Sequence, residues 1–574
     1  MVYKSAPVIW SCSNTREIIP DAVTPLSQAL LRQDINQAAI GFMHDSGVQT
    51  EPGSLFVDFH HGRLYLNMNF VTHTSSSIPG RSPRQIAAGF GFEDAELLRQ
   101  HLGIDPDRVT PGSWATLRPT LGTVRYILAA PGYLKKEVPT IESQMDHLET
   151  LDLTTLSLGE LQALWGKIQG LVKRTTWLHA LYSNYAFGLW EPLEGQIKDR
   201  FSPQDTRRLM GQLSAGLENM ATAQMGLALR RLVHEAHRDE GVRQALMAED
   251  PLAALAARRA QGESMAFFAT WDEFMARFGH RTFSELDLHR PRWREAPLFL
   301  VRLIQGALAG PIGETPEALM EEQLQRRLAA VQEVEQRIGR LRALPFRWLL
   351  RNIQMFVTQR ENMKNLWMRE YALLRQVFLQ IAARWQAQGW LDEPDDIFFL
   401  GPDEIAGVIS GTLAGAELRD LVARRRAEFA RWQALELPET FVGEWQPQPT
   451  PEAPSPASAV GAVLHGLGCS PGTVRAPARI IRDPVREAHR LHPGEVLVAP
   501  QTDPIWTILF QSAAAVVTER GGMLSHSAIV AREFGIPAVL GVKEATARIP
   551  DGQLIAVDGT AGTVHILPEP LATI

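Results

Sequence analysis

Five prolines at near-alternate positions in QPQPTPEAPSPAS, Gln446 to Ser458, exclude helix there and favour an extended, semi-rigid tether. About thirteen residues at roughly 3.1 Å each let it reach about 40 Å, a length suited to a domain that changes position. The expected division of the chain is therefore 1–445, a linker at 446–458, and 459–574.

The two sides differ in kind. Beyond the tether, short β-rich runs (ARIIRD, EVLVAP, AAAVVTE, LIAVDG, GTVHIL) alternate with Gly, Pro and Asp turns, and one helix-like segment, SHSAIVAREF, follows a Gly-Gly turn. This predicts a compact α/β unit. Before the tether, Leu148 to about Ala434 carries apolar residues at three and four spacing, as in EEQLQRRLAAVQEVEQRIGRLRAL, and reads as helix. Residues 1 to about 130 are mixed, with SLFVDFHHGRLYLNMNF predicting two strands around a Gly-containing turn. The fold expected is multidomain: a large, mainly α domain with some β near the N-terminus, then an α/β domain.

A net charge of −7 argues against a general nucleic-acid or membrane-surface binder, though not against a local basic pocket. Two distant cysteines, Cys12 and Cys469, make neither a disulfide framework nor a zinc pair. The first residues lack the pattern of a signal peptide. The most apolar run, Ala296 to Ala309, is too short to span a bilayer and predicts a buried helix. A cytoplasmic protein is expected.

Within TERGGMLSHSAIVAREFGIPAVLG, Thr518 to Gly541, the run AAAVVTE ends as a buried strand. Gly521 and Gly522 then permit backbone angles closed to other residues and close approach by a ligand. Ser525 is a good helix N-cap and His526 falls in the first turn. Free amides and the positive helix end favour an anion there, and neutral imidazole is a competent nucleophile toward phosphorus. Taken alone, Gly-Gly-x-x-x-His reads more readily as a tight turn with a polar helix start.

The segment resembles the phosphohistidine swivelling domain of the phosphoenolpyruvate-utilising enzyme superfamily, through GGMLSH, AIVARE, GIPAVLG, GLGCSPGTVRAPARI, TDPIW and VDGTAGTV. The resemblance implies that His526 is phosphorylated and that Gly521, Gly522 and Ser525 cradle the phosphate. Leu524 and Ser525 stand where dikinase and synthase branches carry Thr or Cys, which brings the loop nearer to rifampicin phosphotransferases. Residues 8–434 resemble the substrate-binding domain of rifampicin phosphotransferases and phenylphosphate synthase, through Asn14–Ser27, HGRLYLN, Arg277–Trp293, RENMK (Arg360 to Lys364) and Leu391–Ile405. The chain ends at Ile574, where phosphoenolpyruvate branches continue into a barrel, and shows no ATP-grasp domain. The resemblance thus implies ATP and Mg²⁺ on a separate ATP-grasp subunit, with covalent phosphate on His526.

RENMK places Arg360 and Lys364 four apart on one helical face, where an anion between them relieves their repulsion. The alternative is a solvated face on which Glu361 partly neutralises Lys364. The family's phosphate-contacting pair maps onto Arg360 and Lys364. RFGHRTFSELDL concentrates His280, Arg281, Glu285 and Asp287. His280 or Glu285 suits a base that takes a hydroxyl proton, and a structural ion-pair turn is the competing reading. Asn14, Glu17 and Thr24 are further candidates, and Glu361 joins them for substrate or proton transfer. His60 and His61 point to opposite faces of a strand and make no metal site; no metal is expected on this chain. Trp177, Trp190, Trp348, Phe356, Trp367 and Met368 read mostly as core, with some available to line an apolar pocket.

The function expected is the substrate- and phosphohistidine-bearing component of an ATP-dependent, dikinase-type phosphotransferase. Phosphate passes from the partner to His526 and then to a hydroxyl of a phenol-like or other organic alcohol, with AMP and phosphate as other products. The alternatives are a phosphocarrier or regulatory protein without its own acceptor, and a ligase subunit in which phosphorylation drives condensation of two substrates. Neither nucleic acid nor membrane is an expected partner.

Overall fold

The computed structural model describes residues 7–568 apart from 18, 52, 76–79, 93, 113, 218, 309–315, 436, 446–460, 503–505 and 523–524. The proline tether therefore lies outside the described residues. The chain forms two compact units. The first takes residues 1–185, 284–291 and 363–448, and the second takes 186–283, 292–362 and 449–574. This differs from a simple cut at the tether, because the α/β region shares its unit with two stretches of the helical region.

In the first unit, strands β1 (Ile9–Ser11), β2 (Val57–His60), β3 (Arg63–Asn67) and β4 (Thr440–Val442) form an antiparallel sheet in the order β2-β3-β1-β4. The hairpin β2–β3 turns at His61 and Gly62, with φ of 48° and 77°. His61 thus sits in the turn rather than on the strand as expected. The ring of His60 packs 4.7 Å from Trp10, and that of His61 lies 5.3 Å from Trp445. Trp10, Cys12, Tyr65, Leu437 and Phe441 make the small core of this sheet. Long helices supply the rest, including Leu158–Lys198 and Arg340–Ala387, each of which runs on into the second unit.

The stretch expected as one helix around 321–344 is two helices, Pro316–Ile338 and Arg340–Ala387, separated at Gly339. Its φ of 82° is left-handed backbone that interrupts the i to i−4 ladder. The apolar run 296–309 is the helix Leu298–Leu308, with Leu300, Val301, Leu303 and Ile304 buried.

In the second unit, the β-rich runs form an eight-stranded sheet from β5 (Val463–His465), β6 (Leu467–Ser470), β7 (Thr473–Ile480), β8 (Val496–Ala499), β9 (Ala515–Thr518), β10 (Ala538–Leu540), β11 (Leu554–Asp558) and β12 (Thr563–Ile566). Their order is β5-β12-β11-β7-β8-β9-β10-β6, parallel from β7 through β10 and antiparallel elsewhere. The expectation of a single helix here is corrected. Thr507–Ser512, Pro484–Glu487 and Ala545–Arg548 are also helical, because parallel strands need crossovers that hairpin turns cannot make.

Alternation along the strands gives the sheet two apolar faces. Val496, Val498, Ala515, Val517, Ile555 and Val557 close one core. Leu497, Ala499, Val516, Ala538 and Leu540 face the other side. There the helices Thr507–Ser512 and His526–Glu533 contribute Leu509, Phe510, Ala528, Val530 and Ala531 to a cluster that continues into Leu229, Phe274, Trp293 and Ile304 of the helical stretches. At roughly 25 cal/mol per Å² of apolar surface, that shared core is what holds these segments in one unit.

Candidate functional site

The histidine loop is built as its residues dictate. Strand β9 ends at Thr518, and the backbone then turns through Gly521, whose φ is 129°. A Cβ there would lie 3.2 Å from Leu540 Cδ1 and 3.2 Å from Ser525 Oγ, whereas one on Gly522 meets nothing within 4 Å among the described residues. Only the first glycine is therefore required by both angle and space. Ser525 has extended backbone and its Oγ accepts from Ala528 N at 3.3 Å, so it caps the helix His526–Glu533. Ile529 N bonds Ser525 O at 3.1 Å. The amides of His526 and Ser527 then have no acceptor among the described residues, as the first amides of a helix do. A phosphate fits such a terminus by charge and by donor direction. Ser527 Oγ is tied to Thr502 Oγ1 at 2.6 Å, which fixes the first turn against the segment after β8.

The far end of this helix is anchored in the same unit. Glu533 accepts from Gly216 N at 3.1 Å. Burial pushes its carboxyl up to about 7, against the pull of the Leu217 and Gly216 amides and of Arg327 and Arg532. Arg532 donates from Nε to Cys469 O at 2.8 Å and from Nη1 to Ser214 Oγ at 3.3 Å. Burial also lowers its pKa. Ile529, Val530, Glu533 and Phe534 share a small cavity with Thr222, Gly226 and Met320.

Thr222 leads to the residues expected around RENMK. Its Oγ1 donates to Glu361 Oε2 at 2.7 Å, and Arg360 Nη2 donates to Glu361 Oε1 at 2.9 Å. The Arg360 guanidinium stands 5.5 Å from the Phe187 ring. Asn362 fastens the same turn, accepting from Ala221 N at 2.9 Å and donating to Asn219 O at 3.0 Å. The unit that holds the histidine helix thus also holds Arg360, Glu361 and Thr222. The competing reading, in which Glu361 neutralises Lys364, is corrected: Glu361 pairs with Arg360.

His280 and Arg281 belong to this unit too and are buried, just after the helix Met265–Phe278. Arg281 O accepts from Trp293 N at 2.9 Å, and Gly279 O accepts from Arg294 N at 3.0 Å.

The remaining candidates lie in the first unit. Lys364 forms an ion pair with Glu285 at 3.5 Å, and Glu285 is buried. Asp287, also buried, accepts from Thr24 Oγ1 at 2.8 Å and Ser27 Oγ at 2.7 Å. Thr24 is therefore the residue before the helix Pro25–Asp45 and a partner of Asp287 at once. Asn14 and Glu17 lie at the short helical turn Thr15–Glu17. Of the aromatic and methionine candidates, Trp177, Trp367 and Met368 are core in the first unit, whereas in the second unit Phe356 is core, Trp190 is half-buried and Trp348 is exposed.

Sequence reasoning missed Thr222, Glu533 and the 214–217 loop. A threonine, a helical glutamate and a Ser-Ala-Gly-Leu turn carry no local mark of the partners they meet 139 to 318 residues away. Among the described residues, no group of three His, Cys, Asp or Glu side chains is placed to hold a metal ion, and no helix is long and apolar enough to cross a membrane.

Comparison with known proteins follows the same lines. Residues 176–361 match the family described as rifampicin phosphotransferase fourth domain, and 491–562 match the PEP-utilising enzyme mobile domain. The first match ends beside the unit boundary between Asn362 and Met363. A prodigiosin synthesizing transferase of Serratia marcescens is 30% identical over 97% of this chain and 63% of its own. An uncharacterized protein of Mycobacterium tuberculosis is 29% identical over 97% of this chain and 61% of its own. A rifampicin phosphotransferase of Streptomyces sviceus is 35% identical over 52% of this chain and 34% of its own. The chain thus spans about three fifths of the length of the first two relatives.

Proposed function

We propose that this chain, which belongs to the phosphoenolpyruvate-utilising enzyme superfamily by its mobile domain, is the phosphohistidine-bearing and acceptor-binding component of an ATP-dependent phosphotransferase. A ring nitrogen of His526 attacks the β-phosphorus of ATP, the P–O bond to AMP breaks, and water then cleaves off the γ-phosphoryl group as inorganic phosphate, which leaves one phosphoryl group on His526. The oxygen of an organic alcohol or phenol then attacks the same phosphorus, the P–N bond breaks, and the hydroxyl proton passes to a base, for which His280, Glu285 and Glu361 are the candidates. The remaining products are AMP and inorganic phosphate. ATP and Mg²⁺ belong, in this reading, to an ATP-grasp subunit. More than a third of each relative matched over 97% of this chain lies outside the matched region, which leaves room for such a domain in them.

One observation carries the reading. The helix that opens on His526 lies in one compact unit with Arg360, whose guanidinium is held by Glu361, itself fixed by the Thr222 hydroxyl. An oriented guanidinium stabilises the spreading charge of a transferring phosphoryl group. Lys364, paired with Glu285, is proposed as a second phosphate contact, on the resemblance alone.

The test mixes the chain with an ATP-grasp partner and ATP labelled at the β-phosphate. Label held by wild type and lost in His526→Ala supports the reading; no label with any partner sinks it. A second reading, phosphorylation-driven condensation, is favoured by the name of the Serratia relative. It predicts release of the label as inorganic phosphate together with a joined product, rather than a stable phosphate ester.

A further inference from the structure

The first turns of the helix Arg340–Ala387 bury Ala343, Phe346, Leu349 and Leu350 against their own unit. The opposite stripe is apolar as well: Leu341, Leu344 and Trp348, at i, i+3 and i+7, are 93%, 70% and 51% exposed. Exposure this high on three large apolar side chains in one stripe marks a surface that binds something.

The charge around the stripe says what. Between Glu335 and Glu361 the sequence holds six arginines and no acidic residue. Arg347 is neutralised by Glu335 at 2.5 Å and Arg360 by Glu361 at 2.9 Å. The Arg337 guanidinium lies against the Phe201 ring. Arg340, Arg342 and Arg351 are exposed and pair with no acidic side chain among the described residues. They flank Leu341, Leu344 and Trp348 in sequence and lie within the same three turns.

We propose that this stripe docks the protein on an anionic membrane surface, with Leu341, Leu344 and Trp348 entering the headgroup layer and Arg340, Arg342 and Arg351 meeting lipid phosphates. Leucine and tryptophan among arginines are the residues that hold a helix in a bilayer interface. A second copy of the same stripe would bring like charges together. Three side chains also fall well short of the roughly 800 Å² per partner that a standard protein interface buries, whereas a bilayer accepts a small apolar wedge backed by cations. The chain's overall charge of −7 does not oppose this, because charges more than about 8 Å away are screened at physiological salt. The inference is independent of the phosphoryl chemistry.

The test is flotation of the full chain with vesicles of pure phosphatidylcholine and with vesicles containing phosphatidylglycerol. The expected result is binding to the anionic vesicles only, weakening as salt rises. Leu341→Asp/Trp348→Asp and, separately, Arg340→Gln/Arg342→Gln/Arg351→Gln should each reduce partitioning at least ~tenfold. All these positions are exposed, so circular dichroism and the thermal midpoint should match wild type. Three results overturn the proposal: no binding to anionic vesicles at low salt, equal binding to neutral ones, or binding that survives both variants. Vesicle-negative protein that instead forms a stable dimer or complex through these residues assigns the stripe to a protein partner and overturns it too.

Discussion

Thr222 and Glu361, 139 residues apart, are joined by a 2.7 Å hydrogen bond, and the other oxygen of that carboxylate receives Arg360. The threonine lies on the wall of the cavity beneath the histidine helix, so this bond links the seat of that helix to the guanidinium. A hydrogen bond to a charged group is worth about 1.5–3 kcal/mol. Thr222→Val should therefore loosen Arg360 while leaving the histidine loop intact. The expected outcome is normal phosphorylation of His526 with transfer to acceptor slowed by about ten- to a hundredfold, read in single-turnover assays on pre-labelled protein. Loss of labelling as well would show that Thr222 supports the loop instead.

Gly521 and Gly522 separate angle from space. Gly521→Ala places a methyl group against Leu540 and Ser525 in a backbone region that L residues avoid, costing of order 1–3 kcal/mol. Gly522→Ala meets nothing among the described residues and should change stability by less than about 0.5 kcal/mol. Denaturant titration of both variants checks the contrast, and phosphorylation of His526 should fall only in the first. Equal effects would mean that the turn is not held as described.

Glu533 gives a pH signature. Burial raises its carboxyl from the ordinary 4.5 to about 7 in the folded chain. The protonated form is thus favoured by folding, its contribution is fully present below about 4.5, and it is lost as pH rises to about 7. The loss amounts to up to about 3 kcal/mol. Glu533→Gln keeps a neutral side chain at every pH. The stability difference, variant minus wild type, should therefore grow from pH 4.5 to 7 and then level off. Taking the difference cancels Asp34, whose buried carboxyl is also pushed up to about 7. A flat difference would refute the assignment.

Asp287 holds Thr24 and Ser27 at 2.8 and 2.7 Å in the first unit. Asp287→Ala leaves two buried hydroxyls without their acceptor and should cost about 2–4 kcal/mol, measured as a lower thermal midpoint. Thr24→Val/Ser27→Ala should cost a similar amount, because it removes two of the donors to the carboxylate, leaving the His289 amide at 3.2 Å, and takes the Ser27 acceptor from the Leu288 amide.

Local order was readable wherever one short segment contains its own cause. The glycine turn, the Ser525 cap and the start of the helix at His526 follow from residues next to one another. So do the β2–β3 hairpin and the buried helix at Leu298–Leu308. Gly339 was read through as helix because its neighbours keep the apolar spacing, and only the backbone angle shows the break.

Pairing was not readable in the same way. Glu361 is one residue from Arg360 and three from Lys364, and helical spacing favoured the second partner; the structure pairs it with the first and gives Lys364 to Glu285. Which cation a carboxylate meets depends on what else reaches it, here Thr222 from a distant helix. The sequence by itself determined the β2–β3 hairpin, most strands of the α/β region and the start of the helix at His526, because those follow from backbone preference and nearest neighbours. Tertiary structure alone decided that the second face of the α/β sheet is shared with the 221–304 helices. Burial of apolar surface has no direction or range in sequence, and it is settled only when all the faces that need covering are present together.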